Sequence, residues 1–105
     1  MGRSMLLDVI GDSVENMILD FLIGGIGLDY SKKDIAEGCG ISRPTVYKIL
    51  PKMLKEGIIK KTRMLGRSTL YTINKENKKV QYLLKLEEIL LKTSFEELQP
   101  VRIKV

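Results

Sequence analysis

Between Ser31 and Gly57 the sequence spells two helix starts and two glycine stops in close succession, and few folds accommodate that spacing. Ser31-Lys32-Lys33-Asp34 has the S-x-x-D pattern, in which the serine oxygen accepts from an early backbone N–H and the carboxylate reaches back to the cap. Ile35 and Ala36 then face inward, and Gly38-Cys39-Gly40 stops the helix. Ser42 caps the next one, with Arg43 and Pro44 in its first turn, where a missing N–H costs nothing. Val46, Ile49, Leu50, Met53 and Leu54 fall at i, i+3, i+4, i+7 and i+8, one buried stripe that ends at Gly57.

Two helices joined by a tight glycine-containing turn make a helix-turn-helix. Pro51 departs from the pattern, because inside a helix it removes the bond to the Tyr47 carbonyl and costs roughly 3 kcal/mol. The helix is expected to kink there or to end early. Upstream, Asp12-Ser13-Val14-Glu15 reads as another start with Asp12 as the cap. Val14, Met17, Ile18, Phe21 and Leu22 form its stripe, to about Ile23 before Gly24-Gly25.

After Gly57 the period changes. Ile58 to Arg63 and Thr69 to Ile73 are rich in β-branched and aromatic residues and pair as a hairpin over about 58–73. Its link, Met64 to Ser68, holds Gly66 and puts Arg67 near the tip, with Tyr71 and Ile73 on the packed face. A last helix occupies about 74–92. At 100° per residue its apolar residues, Val80 through Leu91, cover an arc of about 220°, wider than the stripe one domain usually buries. The excess points to a second contact surface, most simply the same helix of another protomer, through Val80, Leu83, Leu86, Ile89 and Leu90. A helix wrapped by its own domain is the competing reading. The tail, 93–105, alternates after Pro100 and reads as a short edge strand or an irregular end.

Charge is partitioned along the chain. Residues 1–30 carry one Arg and five carboxylates, residues 31–79 ten Lys and three Arg against four carboxylates, and residues 80–105 four of each sign. A block of net charge +9 inside a folded domain fits a surface that meets a polyanion. A solvated lysine-rich surface is the alternative.

Composition excludes much else. With no His and one Cys among 105 residues, the chain holds no Ser-His-Asp or Cys-His constellation, no Cys/His zinc site and no internal disulfide. Glu87-Glu88 and Glu96-Glu97 are adjacent pairs that diverge on a helix, unlike an acid–base pair. No enzyme activity, metal or cofactor is expected. Cys39 reads as a small side chain in the turn. Asp8 cuts the first apolar run short of a secretory segment, and Met17 to Leu28 is too short for a bilayer span, so a cytoplasmic protein is expected.

The order helix, helix-turn-helix, hairpin, long helix resembles the winged helix-turn-helix transcriptional regulators, MarR-like and ArsR-like in the broad sense. Asp34-Ile35-Ala36-Glu37, the run from Gly40 to Leu50, Leu54 to Ile59, Arg63, Gly66-Arg67 and Leu70-Tyr71 carry the resemblance. It implies a mainly α single domain with a small β-hairpin: a winged core over 12–73, then a long C-terminal dimerisation helix. It also implies double-stranded DNA as partner, with the second helix of the motif in the major groove and the hairpin, or wing, on backbone or minor groove.

Residue chemistry agrees. Pro44, Thr45, Tyr47, Lys48, Lys52 and Lys55 project away from the core stripe. Ser42, Arg43 and Thr45 stand at the helix N-terminus, where an Arg grips guanine and N–H groups meet phosphate. Lys48 and Lys52 suit phosphates. Tyr47 either stacks on DNA or packs on the wing. Arg63, Arg67 and Ser68 are the wing candidates, and Lys32 and Lys33 add cations at the start of the motif. The function expected is sequence-preferring regulation by a homodimer on pseudo-palindromic sites. A winged-helix protein-interaction module or a non-specific architectural DNA binder are the alternatives. A small-molecule effector is compatible with the pattern but not readable from it.

Overall fold

A computed structural model describes residues 4–98. The helices are α1 (Met5–Ile10), α2 (Val14–Gly24), α3 (Lys32–Cys39), α4 (Arg43–Lys55) and α5 (Lys78–Leu98). Between α4 and α5 lie strands β1 (Ile59–Leu65) and β2 (Ser68–Ile73). This is the mainly helical fold with one hairpin that the sequence implies.

Serine side chains start the first four helices. Ser31 accepts from the Asp34 N–H while Asp34 accepts from the Ser31 N–H, a reciprocal capping box. Ser42 accepts from the Thr45 N–H, and Pro44 sits in the first turn of α4. At α2 the cap is Ser13, which accepts from the Asn16 N–H, and not Asp12. A serine oxygen reaches the third N–H as well as a carboxylate does, so adjacent cap-forming residues leave the frame to packing. Gly40 closes α3 at φ 70°, the left-handed conformation a side chain resists.

The helix α4 runs through Pro51 to Lys55 and does not end early. Pro51 is exposed, so its ring points to solvent while Val46, Leu50 and Met53 on the opposite side are buried. Their burial outweighs one lost backbone bond.

The core gathers Ile18, Leu22, Ile35, Val46, Leu50, Met53, Ile59, Tyr71, Ile73 and Val80 from every later element. The element not expected from sequence is α1, which contributes Leu6, 1 % exposed, to this core and packs on both α2 and α5. Its cap Ser4 also donates to the Asp20 carboxylate of α2 at 2.7 Å. The strands pair antiparallel, Ile59 opposite Ile73 and Leu65 opposite Ser68, with a register shift between Lys61 and Met64. A two-way backbone bridge of 2.8 Å bonds joins Tyr30 to Tyr71, so the loop before α3 forms a third rung beside β2.

The last helix extends beyond the expected end near residue 92 to Leu98. The alternating tail from residue 99 lies outside the described residues. No helix among the described residues is long and apolar enough to cross a membrane.

Candidate functional site

The start of α3, the N-terminal half of α4 and the hairpin converge on one open concavity of about 340 Å³. Lys32 and Lys33 enter it from α3, Arg43 and Tyr47 from α4, and Arg67 and Ser68 from the wing. Four cations line it and no carboxylate does. The positive end of the α4 dipole adds to their field, because Arg43 is the first residue of the helix.

Local structure explains the convergence. The turn at Gly40 swings α4 across α3, so the start of one helix stands beside the start of the other. Tyr47 follows the buried Val46 and so points outward, 51 % exposed, with Lys32 Nζ 4.7 Å from its ring centroid. That cation–π contact holds the ring at the centre of the concavity, where it neither joins the core nor lies free. Gly66, at φ 63°, permits a tight turn that brings Arg67 and Ser68 to the concavity.

The remaining expected residues are placed differently. The Ser42 and Thr45 hydroxyls are 2.7 Å apart and bonded to each other, which serves the cap first. Pro44 and Lys48 are exposed on α4, outside the concavity lining. Lys52 lies a turn further on, its ammonium 3.0 Å from the Glu15 carboxylate and 3.9 Å from that of Glu56. Glu15 accordingly raises the Lys52 pKa above its ordinary value.

Arg63 does not reach the concavity. Its guanidinium donates twice to Asp29, from Nε at 3.0 Å and from Nη2 at 3.3 Å, and Thr62 adds a bond of 2.7 Å to the same carboxylate. The Arg63 and Thr62 bonds hold Asp29 below its usual pKa. With Thr72 donating to the Leu28 carbonyl, this clamp ties the wing to the loop before α3. Sequence periodicity carries no sign of it, since the partners are more than thirty residues apart. Sequence reading also missed Ser31, Thr69 and Tyr71, which complete the lining.

The residues expected at a dimer contact divide. Val80 is wholly buried in the core of its own chain, so it is not available to a partner. At the first turn of α5 it packs beneath the winged core. Leu83, Leu86 and Leu90 are half-buried against the same core, and Ile89 is 49 % exposed. The unexpected α1 packs against α5 and so accounts for part of its wide apolar arc. Tyr82, seven residues before Ile89, is uncovered on the same face, and Leu91 and Phe95 are uncovered on a different side of the helix.

Cys39 is half-buried, its thiol 3.5 Å from the Met17 carbonyl. Burial, and then the Asp20 charge, push its pKa up to about 11. Among the described residues no three Cys, Asp or Glu side chains gather where a metal ion could sit.

Solved structures share this fold. MepR, a transcription regulator of the Staphylococcus aureus multidrug efflux pump MepA, superposes with a TM-score of 0.61 at 16 % identity, over 91 % of this chain and 73 % of that one. The homodimeric winged helix-turn-helix DNA-binding domain Mb0332 of Mycobacterium bovis gives 0.60 at 21 % identity, over 92 % and 84 %. A mutant of the type III plasmid segregation protein TubR gives 0.60 at 24 % identity, over 81 % and 90 %. No protein of curated function matches the sequence. Residues 4–78, well over half of the sequence, match the Crp-like helix-turn-helix domain, and the chain belongs to that family, one of DNA-binding domains rather than of enzymes.

Proposed function

We propose that this chain is a sequence-preferring transcription regulator that works as a homodimer in the cytoplasm. In this reading the N-terminal half of α4 lies in the major groove and the wing follows the backbone into the adjacent minor groove. The observation that carries the reading is the concavity between α3, α4 and the wing, with four cations and no carboxylate. Phosphate neutralisation dominates binding by such a surface. Arg43, at the helix start, is the residue for a guanine edge, whereas Lys32, Lys33 and Lys48 suit phosphates. Ser42, Pro44 and Thr45 border that helix start, with Tyr47 beside it. Lys52 and Arg63 contact the backbone only by exchanging Glu15 and Asp29 for phosphate oxygens.

A second copy fits the exposed apolar side of α5, where Tyr82 and Ile89 share a face beside the half-buried Leu83, Leu86 and Leu90. The homodimeric domain from Mycobacterium bovis supports this by its fold. An effector would find apolar surface in the cavity of about 420 Å³ between α2 and α5, lined by Leu19, Ile58 and Leu83.

Fluorescence anisotropy on the protein's own upstream DNA and on a scrambled duplex, across a salt series, tests the reading. Salt-sensitive binding with an upstream preference of roughly 1,000-fold or more is expected. Equal binding to both would replace regulation with an architectural role. No binding at low salt would overturn the DNA reading in favour of a protein-interaction module. Arg43→Ala should relax preference, whereas Lys48→Ala should weaken binding to all sequences alike.

A further inference from the structure

The tip of the wing carries two large apolar side chains that the chain leaves uncovered. Met64 and Leu65, the last residues of β1, are 63 % and 62 % exposed, whereas Ile59 at the other end of the strand is 2 % exposed and part of the core. A hairpin tip has no structural need of them, since polar residues serve a two-residue turn equally well.

Their surroundings are basic. Lys60, Lys61 and Arg63 precede them, Arg67 follows in the turn, and no Asp or Glu occurs from Gly57 to Lys75. Met64 stands opposite Thr69 and Leu65 opposite Ser68 in the hairpin, and both of those partners line the basic concavity. The apolar tip is therefore continuous with the proposed DNA surface. The register shift between Lys61 and Met64 falls immediately before the pair, and irregularities of this kind re-aim the side chains that follow them.

We infer that the wing tip is an apolar wedge: Leu65, with Met64 beside it, enters the minor groove, parts a flexible base step and bends the duplex. This rests on the DNA-binding reading above and names what the wing does there. The minor groove, about 6 Å wide, excludes a helix but admits a single side chain, and its two walls of phosphate attract the cations beside the tip. A second copy of the wing is disfavoured as occupant, because it would bring Lys60, Lys61 and Arg67 of the two copies together while the nearby Asp29 carboxylate is already engaged by Arg63.

The test uses a duplex of about 30 base pairs from the upstream DNA, labelled at both ends, with energy transfer reporting the bend and anisotropy the affinity. The wild-type protein should shorten the end-to-end distance on binding. The double variant Met64→Ser, Leu65→Ser should bind about tenfold more weakly, leave the duplex straight and keep the wild-type salt slope, since no phosphate contact is lost. Leu65→Phe should retain the bend, and Arg67→Ala should reduce the salt slope by about one. Both serine positions are mostly exposed, so a circular-dichroism melt should match the wild type. Wild-type affinity and bend in the serine variant would overturn the wedge alone. A change in the sedimentation of the free protein, with DNA binding unaltered, would overturn it in favour of a contact between copies. Absence of wild-type DNA binding at low salt would overturn the underlying reading as well.

Discussion

Gly38 lies in the penultimate position of α3, where intrinsic helix preference and tertiary packing predict opposite signs for Gly38→Ala. Backbone entropy alone favours alanine by about 0.5–1 kcal/mol in a helix. The new methyl carbon would, however, stand inside the van der Waals envelope of the Phe21 ring, which lies directly against the glycine. That ring is packed on Tyr30, centroids 4.8 Å apart, so it moves aside only by giving up an aromatic contact worth about 0.5–1.5 kcal/mol. Overpacking of this kind costs about 1–3 kcal/mol. The balance is a net loss of about 1 kcal/mol, equivalent to a melting temperature lower by about 4–8 °C in a domain of this size. Thermal melts followed by circular dichroism read it directly. Paired with Phe21→Leu, which removes the ring, the same substitution should become neutral or stabilising. A rise in melting temperature in the wild-type background, or an equal fall in both backgrounds, would refute the steric account. The site has a functional reading too, because the contact sets how closely α3, with Lys32 and Lys33, approaches α2.

Three further outcomes are expected. Asn77 caps α5 through the Val80 N–H and donates to the Gly57 and Glu56 carbonyls, so Asn77→Ala should cost about 2 kcal/mol by chemical denaturation. A loss under a few tenths would mean that solvent replaces all three bonds. The Asp29 pKa is lowered in the folded protein, so the stability the clamp adds is present above the ordinary carboxylate value of 3.8 and is lost as pH falls through the lower folded value. Wild type and Asp29→Asn should therefore differ in stability at pH 7 and converge in strong acid, and a difference that persists there would assign the effect to something other than ionisation. With its pKa near 11 against an ordinary 9.0, Cys39 should react with a thiol reagent at pH 8 roughly a hundredfold more slowly than a free cysteine. Equal rates would show that the turn opens readily.

Much of this architecture is local in origin and so legible in the chain. The stripe from Val46 to Leu54, the glycine at the turn and the serine caps act within a few residues of one another, and a helix or a stop follows from each without knowledge of its neighbours. The β-branched and aromatic residues after Gly57 point to the hairpin in the same way, and Arg67 at its tip needed only the position of Gly66. Four of the expected cations, Lys32, Lys33, Arg43 and Arg67, do meet in one concavity. Other features were illegible for a common reason: each depends on a partner far away in sequence. The short α1 has a single buried anchor, Leu6, and becomes a helix worth forming only where α2 and α5 are present to cover it. Lys52 and Arg63 look like free cations until folding brings Glu15 and Asp29 within 3.0 Å of them. Val80 looks like part of an outward stripe until the first turn of α5 is laid beneath the core.

The sequence by itself therefore determined four of the five helices, the hairpin and which sign of charge the motif carries, because periodicity, caps and composition are properties of neighbouring residues. Tertiary structure alone decided which of those cations stand free and face one another, because pairing a charge or burying a side chain depends on distances that chain order does not specify.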